Sequence, residues 1–194
     1  MSPFQPARQN KDGRMILRSP SSLTRPGHAG REHGQAMLEF ILCVFMLFVM
    51  VFALIDISRV IQDKQVMSGL SRQGSNLASR GTSLQDTVSA LVTQGAALDV
   101  GTRGRIIVTS VAEGASGTPE ITGQAESTGG IPVTSMIGTG VGQPANVPAA
   151  ANPILQKGQT IYVTEVFYSY QTVTPIGNLL KLALPSTLYE AAIF

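Results

Sequence analysis

The most constraining feature of the sequence is an unbroken run of sixteen apolar residues from Phe40 to Ile55. The apolar stretch extends back to Ala36 and is interrupted only by Glu39. A helix rises about 1.5 Å per residue, so about twenty helical residues cross the roughly 30 Å hydrocarbon core of a bilayer. We therefore predict a single membrane-spanning helix over residues 35–56, in contact with the lipid bilayer.

The charges on the two sides of this run predict its orientation. Residues 1–34 carry six Arg or Lys and two acidic residues, whereas the rest of the chain carries eight basic and ten acidic residues. Basic residues beside a membrane helix stay in the cytoplasm, so residues beyond 56 should be exported. Phe4 is the only aromatic residue in the basic segment, which argues against a nucleic-acid-binding tail, and we expect no nucleic-acid partner.

The segment before the apolar run does not fit an ordinary secretory signal. Such a signal has a shorter apolar core and a small-x-small cleavage site after it, and no such site follows Ile55. Instead, Gly34 is followed after four residues by Glu39 and then by Phe40. A carboxylate at membrane depth is costly and usually marks a functional position. A Glu this close to the interface can also extend to the lipid headgroups, so both interpretations of Glu39 stay open.

This arrangement resembles the cleavage site of type IV prepilins, in particular the TadE-like minor pilins or pseudopilins of tight-adherence (Tad, or Flp) pilus systems. The resemblance implies that a prepilin peptidase cuts between Gly34 and Gln35 and removes residues 1–34. It also implies that the new α-amino group of Gln35 pairs with Glu39 of the same or a neighbouring subunit. The leader is longer than is usual in the family, and Met15 is an alternative start. The predicted processing site comprises Gly34, Gln35, Glu39 and Phe40, and the predicted subunit pairing involves Gln35 and Glu39.

The resemblance implies a role in the initiation or at the tip of a Tad/Flp pilus used in surface adhesion and biofilm formation. The implied partners are the prepilin peptidase, other pilin-like subunits (TadE-like, TadF-like and the Flp major pilin) and the inner-membrane assembly platform. The implied location is the bacterial inner membrane, with the C-terminal domain in the periplasm, and after assembly the extracellular pilus. An alternative is an uncleaved single-pass anchor whose periplasmic domain binds an envelope or secretion-system partner.

The residues that commonly carry chemistry do not indicate an enzyme. His28 and His33 precede the predicted cut, and Cys43, the only cysteine, lies in the apolar run as a small residue facing lipid or another helix. The glycines of residues 138–142 lack the Lys and the preceding strand of a phosphate-binding loop. The carboxylates are scattered along the chain, without a cluster suited to calcium or acid–base work. We expect no catalytic residue, no cofactor and no metal.

Apolar and small residues recur at spacings of three and four beyond Asp56, which predicts one helix from about residue 36 to 80. Its second half, residues 57–81, would continue outside the membrane and end at a Gly81 cap. Nothing at Asp56, neither Pro nor Gly, favours a break. Small residues lie beside the apolar stripe and predict a close approach of backbones; they are Ser68, Gly69, Ser71 and Ser75.

The remaining residues, 82–194, predict a periplasmic α+β domain with a small, mainly antiparallel sheet, as in a pilin. Ser83 and Asp86 predict the capped start of a second helix. Alternating apolar residues predict strands at 105–111, 121–125 and 160–173, and a final extended piece is predicted at 188–194. Residues 127–153 are rich in Gly and Pro and predict a long loop, and a short helix is predicted near 177–184. The segments 158–175 and 188–194 also resemble those of TadE-like proteins.

Glu165 is unusual because it shares one face of the longest predicted strand with Ile161 and Phe167. Two interpretations are open, a buried ion pair with Arg103 or Arg105 and a position on an edge strand. We favour the edge position, because a charged residue at a sheet edge keeps access to water.

Overall fold

The computed structural model describes residues 29–147, 158–175, 177 and 185–194. Its elements in chain order are α1 (Ala29–Ser79), α2 (Leu84–Gln94), a 3-10 helix (Gly95–Leu98), α3 (Val100–Arg103), β1 (Gly104–Glu113), β2 (Pro119–Glu126), β3 (Thr160–Ser169) and β4 (Thr187–Ile193). The predicted α+β class is confirmed. The chain divides into two compact units, one ending at Val44 and the other spanning Phe45–Phe194. Residues 1–28 of the predicted leader lie outside the described residues.

Helix α1 runs from Ala29 to Ser79, so it begins earlier than predicted and continues through Asp56 without a break. Its C-terminus is capped by Gly81, whose φ of 88° is a left-handed conformation that glycine adopts without a side-chain clash. The Gly81 N–H donates to the Ala78 carbonyl at 3.0 Å, and the Thr82 N–H donates to the Leu77 carbonyl at 3.3 Å. These two bonds form a Schellman motif and confirm the predicted cap.

Helix α2 begins where the sequence predicts, because the Ser83 hydroxyl accepts the N–H of Asp86 at 3.1 Å. The short 3-10 helix and α3 that follow it were not predicted. They are joined at Asp99, which has a left-handed φ of 53°. Asp is among the few non-glycine residues that adopt this conformation readily, and the turn leads the chain into β1.

The four strands form one antiparallel sheet in the order β2-β1-β3-β4. All four lie where extended segments were predicted, but β3 ends at Ser169 rather than at residue 173. The Tyr170 N–H still donates to the Ser186 carbonyl, at 3.1 Å, and the chain then leaves the sheet toward α1. Of the short helix predicted near 177–184, only residue 177 lies in the described part of the chain.

The helices cover one face of the sheet and pack closely on it. A Cβ built on Gly74 would lie 2.6 Å from Leu91 and 2.8 Å from Thr164. The Ser75 hydroxyl accepts the Thr164 N–H at 3.1 Å and donates to the Ala192 carbonyl at 2.7 Å, so it inserts between β3 and β4. The predicted close approach is therefore confirmed at Gly74 and Ser75, where the partner is the sheet of the same chain, and is wrong at Gly69, where a Cβ would meet no atom within 4 Å.

The opposite face of the sheet is covered by residues 127–147, the described part of the predicted Gly/Pro-rich loop. This segment has no helix or strand, as predicted, but it also contributes to a second core. The buried residues of that core come from the loop and from two strands; they are Val111, Ile137, Val147, Ile161 and Val163.

Candidate functional site: the apolar helix and its junction with the domain

The predicted processing residues lie on α1 and are exposed on the surface of the helix. Gly34, Gln35, Glu39 and Phe40 all belong to the helix, and Phe40 exposes 68 % of its surface. A Cβ built on Gly34 would meet no atom within 4 Å. Packing among the described residues therefore does not require glycine at this position.

Gln35 and Glu39 are four residues apart on α1, which places them on the same face of the helix one turn from each other. Within the described residues Glu39 makes no ion pair. A carboxylate at this position is thus available to a cation supplied by another group. The pairing of Glu39 with the Gln35 amino group stays a prediction, as does the cut itself.

The apolar run presents its side chains outward rather than to a core. Phe45, Met46, Leu47 and Phe48 each expose between 53 % and 73 % of their surface. Covering a side chain of this size contributes about 1.5–3 kcal/mol. Within the described residues, one helix is long and apolar enough to cross a membrane, Gly34–Ser79. Lipid or other apolar helices are the neighbours that suit this surface.

The apolar run ends at a buried carboxylate, Asp56, which holds the C-terminal part of the chain against α1. Asp56 is fully buried, and its Oδ1 accepts the N–H of Val173 at 3.1 Å and that of Thr174 at 3.4 Å. The Thr174 hydroxyl donates to Oδ2. We call Asp56 and residues 170–174 the junction clamp. The sequence analysis considered Asp56 only as a place where the helix could break and missed this role.

Tyr170 forms the second contact of the junction clamp. Its hydroxyl donates to the backbone carbonyl of Asp56 at 3.1 Å, and the ring is 8 % exposed. Burial, with the negative charge of Asp56 nearby, raises the pKa of Tyr170 above its usual value. The phenol therefore keeps its proton and remains a donor to the helix.

Glu165 corrects the sequence analysis, because it lies on the inner strand β3 and is fully buried. Both proposed explanations, the edge position and the ion pair with Arg103 or Arg105, are wrong. Its carboxylate instead accepts the Ser135 hydroxyl, the Met136 N–H at 2.8 Å and the Tyr189 hydroxyl at 3.0 Å.

These three donors come from the Gly/Pro-rich loop and from β4, so one carboxylate fixes both to the sheet. Burial, followed by the charge of Glu165 and the hydrogen bond to it, raises the pKa of Tyr189 well above its usual range. The Tyr189 phenol thus stays protonated and donates to Glu165.

Residues 34–76 match the model of a family described as TadE-like protein. This segment is similar to TadE-like proteins. The match begins at Gly34, includes the apolar run and Asp56, and ends in α1 before the first residue of α2. No curated protein and no solved structure matches the chain.

The match covers less than a quarter of the 194 residues and does not extend to α2 or the sheet. The apolar helix near the N-terminus is consistent with a membrane anchor. All four predicted processing residues lie in the first turns of the TadE-like segment.

Proposed function

We propose that the chain is a minor pilin or pseudopilin that a prepilin peptidase cuts after Gly34 and that takes part in the initiation or at the tip of a Tad pilus. The observation that carries the proposal is the division of α1 at Asp56. Before it, large apolar side chains are exposed. After it, small residues pack on the sheet of the domain. Such a helix suits insertion in a bilayer and then lateral contact with other pilin-like helices.

The proposed role of Glu39 follows from its place on the helix. A cut after Gly34 creates a positive α-amino group on Gln35, one turn before the carboxylate. A carboxylate at membrane depth is unfavourable unless it is paired. Pairing with the amino group of the same or a neighbouring subunit would relieve that cost and fix the register between subunits.

The proposed topology places the basic leader in the cytoplasm, residues 35–56 in the inner membrane, and residues 57–81 and 82–194 in the periplasm. The partners are the prepilin peptidase, the assembly platform, the Flp major pilin and other TadE-like or TadF-like subunits. The protein would act by assembly, without a catalytic residue, cofactor or metal. Adhesion and biofilm formation would be properties of the pilus to which it contributes.

Replacing Gly34 with Leu tests the processing step. We expect the Gly34→Leu protein to stay at its full length, because a bulky side chain would not fit a peptidase pocket shaped for glycine. Gly69→Leu is the matched control, since Gly69 is also on α1 and a Cβ there meets no atom within 4 Å. Immunoblots and N-terminal sequencing report the result. Normal shortening of Gly34→Leu, with Gln35 as its first residue, would contradict the proposal.

The alternative function, an uncleaved anchor, is favoured by one observation, namely that the junction clamp fixes the domain to α1 without any need for a cut. N-terminal sequencing of protein recovered from membranes and from sheared fibres separates the two functions. The pilin proposal expects Gln35 at the N-terminus in both samples. The anchor expects residues before Gly34 to be retained and no protein in the fibres.

A further inference from the structure

The outer edge of β4 and the neighbouring surface of α1 form a groove of about 710 Å³. Arg72, Gln73 and Asn76 of α1 line one side, and residues 191–194 line the other. We propose that this groove binds an extended segment of another protein, which pairs with β4 as a fifth strand of the sheet. The inference concerns the folded domain, so it stands apart from the proposed processing of α1.

The backbone of β4 has hydrogen-bonding groups that point away from the sheet. Phe194, the residue directly after β4, exchanges two hydrogen bonds of 2.9 Å with Tyr162 of β3. In an antiparallel pair, alternate residues point their N–H and C=O groups in opposite directions. The groups of Ala191 and Ile193 therefore face outward, and within the described residues no hydrogen bond reaches them.

The other edge of the sheet is protected by the chain itself. The Ile121 N–H of β2 donates to the Gln143 carbonyl at 2.9 Å, and the Ala145 N–H donates to the Pro119 carbonyl at 2.8 Å. Exposed edges template the pairing of another strand, and proteins normally cover, charge or distort them. β4 has no proline and no bulge, and its one charged residue is Glu190. Among the residues that the structure describes, nothing therefore covers this edge.

The groove selects a particular kind of strand. Arg72 is the only charged side chain among the described residues that line it, and within those residues no carboxylate pairs with it. Side chains of an added strand alternate between the two faces of the sheet. Those on one face would meet Arg72, Gln73 and Asn76, and those on the other would lie beside Ile193. The partner segment therefore alternates acidic or polar residues with apolar ones.

A second copy of this chain is a poorer occupant of the edge. Two antiparallel β4 edges pair through a two-fold axis perpendicular to the sheet. Helix α1 lies on the face of the sheet, as shown by the Lys64–Glu190 ion pair at 3.9 Å and the Ser75–Ala192 hydrogen bond. The axis would point the two α1 helices in opposite directions, which two chains anchored in one membrane cannot adopt.

Amide hydrogen exchange of the full chain in detergent micelles tests the proposal. The probe is a capped peptide of about eight residues, the length of an ordinary strand, in which Glu or Thr alternates with Val. A peptide with Lys in place of Glu and a scrambled peptide of the same composition serve as comparisons. The Glu peptide should slow exchange at Ala191 and Ile193 and leave Ala192, which faces β3, unchanged.

Two variants make the test specific. Ala191→Pro removes an outward N–H that the sheet does not use, and proline is tolerated at such edge positions. We expect it to bind the Glu peptide on the order of tenfold more weakly, whereas Ala191→Val, which keeps the N–H, binds normally. Arg72→Glu should weaken the Glu peptide by about two- to fivefold and favour the Lys peptide by a similar factor.

Equal binding of the Glu peptide by a folded Ala191→Pro protein would overturn the proposal, as would equal binding of the scrambled peptide. If Ala191→Pro does not fold, the Arg72→Glu variant decides the test. Binding of the groove to the added strand is refuted if this variant does not alter the preference between the Glu peptide and the Lys peptide. Without peptide, the protection of the Ala191 amide against exchange could rise with protein concentration while sedimentation shows dimers. That result would overturn the proposal, because the occupant of the edge would be a second copy of the chain.

Discussion

Replacing Asp56 with Ala tests whether one carboxylate holds the C-terminal segment on α1. The side chain is fully buried and accepts three hydrogen bonds, two from backbone N–H groups and one from the Thr174 hydroxyl. At about 1 kcal/mol each, they contribute about 3 kcal/mol. Val173 is 60 % exposed, so its N–H regains water when the carboxylate is lost. We therefore expect the clamp to weaken by about 2–3 kcal/mol, which raises local opening by about 30- to 150-fold.

The assay is amide hydrogen exchange at Val173 and Thr174 in the full chain. Ser58→Ala is the matched control, because the Ser58 hydroxyl is exposed and its one hydrogen bond within the described residues goes to the Leu54 carbonyl of its own helix, at 2.7 Å. Asp56→Asn keeps the size and one acceptor oxygen, so we expect an intermediate effect. Exchange rates in Asp56→Ala that equal those in Ser58→Ala would refute the clamp.

Three further predictions concern packing, assembly and topology. Gly74→Ala should destabilise the domain by about 1–3 kcal/mol through overpacking, whereas Gly69→Ala should stabilise α1 by up to about 1 kcal/mol. Chemical unfolding in micelles measures both changes in the free energy of unfolding, and changes of the same sign would contradict the packing argument. Glu39→Ala should still be processed but should co-purify with partner pilins on the order of 30-fold less, and wild-type recovery would mean that Glu39 only extends to the headgroups. A periplasm-dependent reporter should be active after Phe194 and inactive before Ser19, and the reverse pattern would exclude the proposed orientation.

Local features of the fold could be predicted from the sequence. The Gly81 and Ser83 caps depend on bonds between residues that are close in the chain, so the residue types alone identify them. The strands follow from alternation of side chains. The order β2-β1-β3-β4 could not be predicted, because β1 pairs with β3, which is distant in the sequence. The alternation of apolar and polar residues identifies a strand but does not indicate with which other strand it pairs.

The buried carboxylates show the limit of sequence reasoning most clearly. Glu165 was expected at an edge, where a charged residue keeps access to water. Its donors instead come from the loop at Ser135 and from Tyr189 in β4. The nearest charged neighbour of Asp56 in the sequence is Arg59, three residues later. The donors to the Asp56 carboxylate lie more than a hundred residues away, and no local pattern indicates them. A lone carboxylate directly after a long apolar run was still a usable signal, since a buried charge requires donors from elsewhere in the chain.

The two parts of α1 tolerate substitution for different reasons, and Asp56 marks the change. Before it, exposed residues such as Phe45 and Met46 gain from any apolar neighbour, so exchanges among apolar residues should leave insertion intact and alter contacts between subunits. After it, Gly74 and Ser75 are in contact with β3, so even one added methyl group disturbs the domain. Substitutions before Asp56 should therefore act on assembly, and those after it on folding. The first part of α1 can make a subunit contact of defined geometry only if the domain does not move relative to the helix. The junction clamp provides that restraint at the residue where the apolar surface ends.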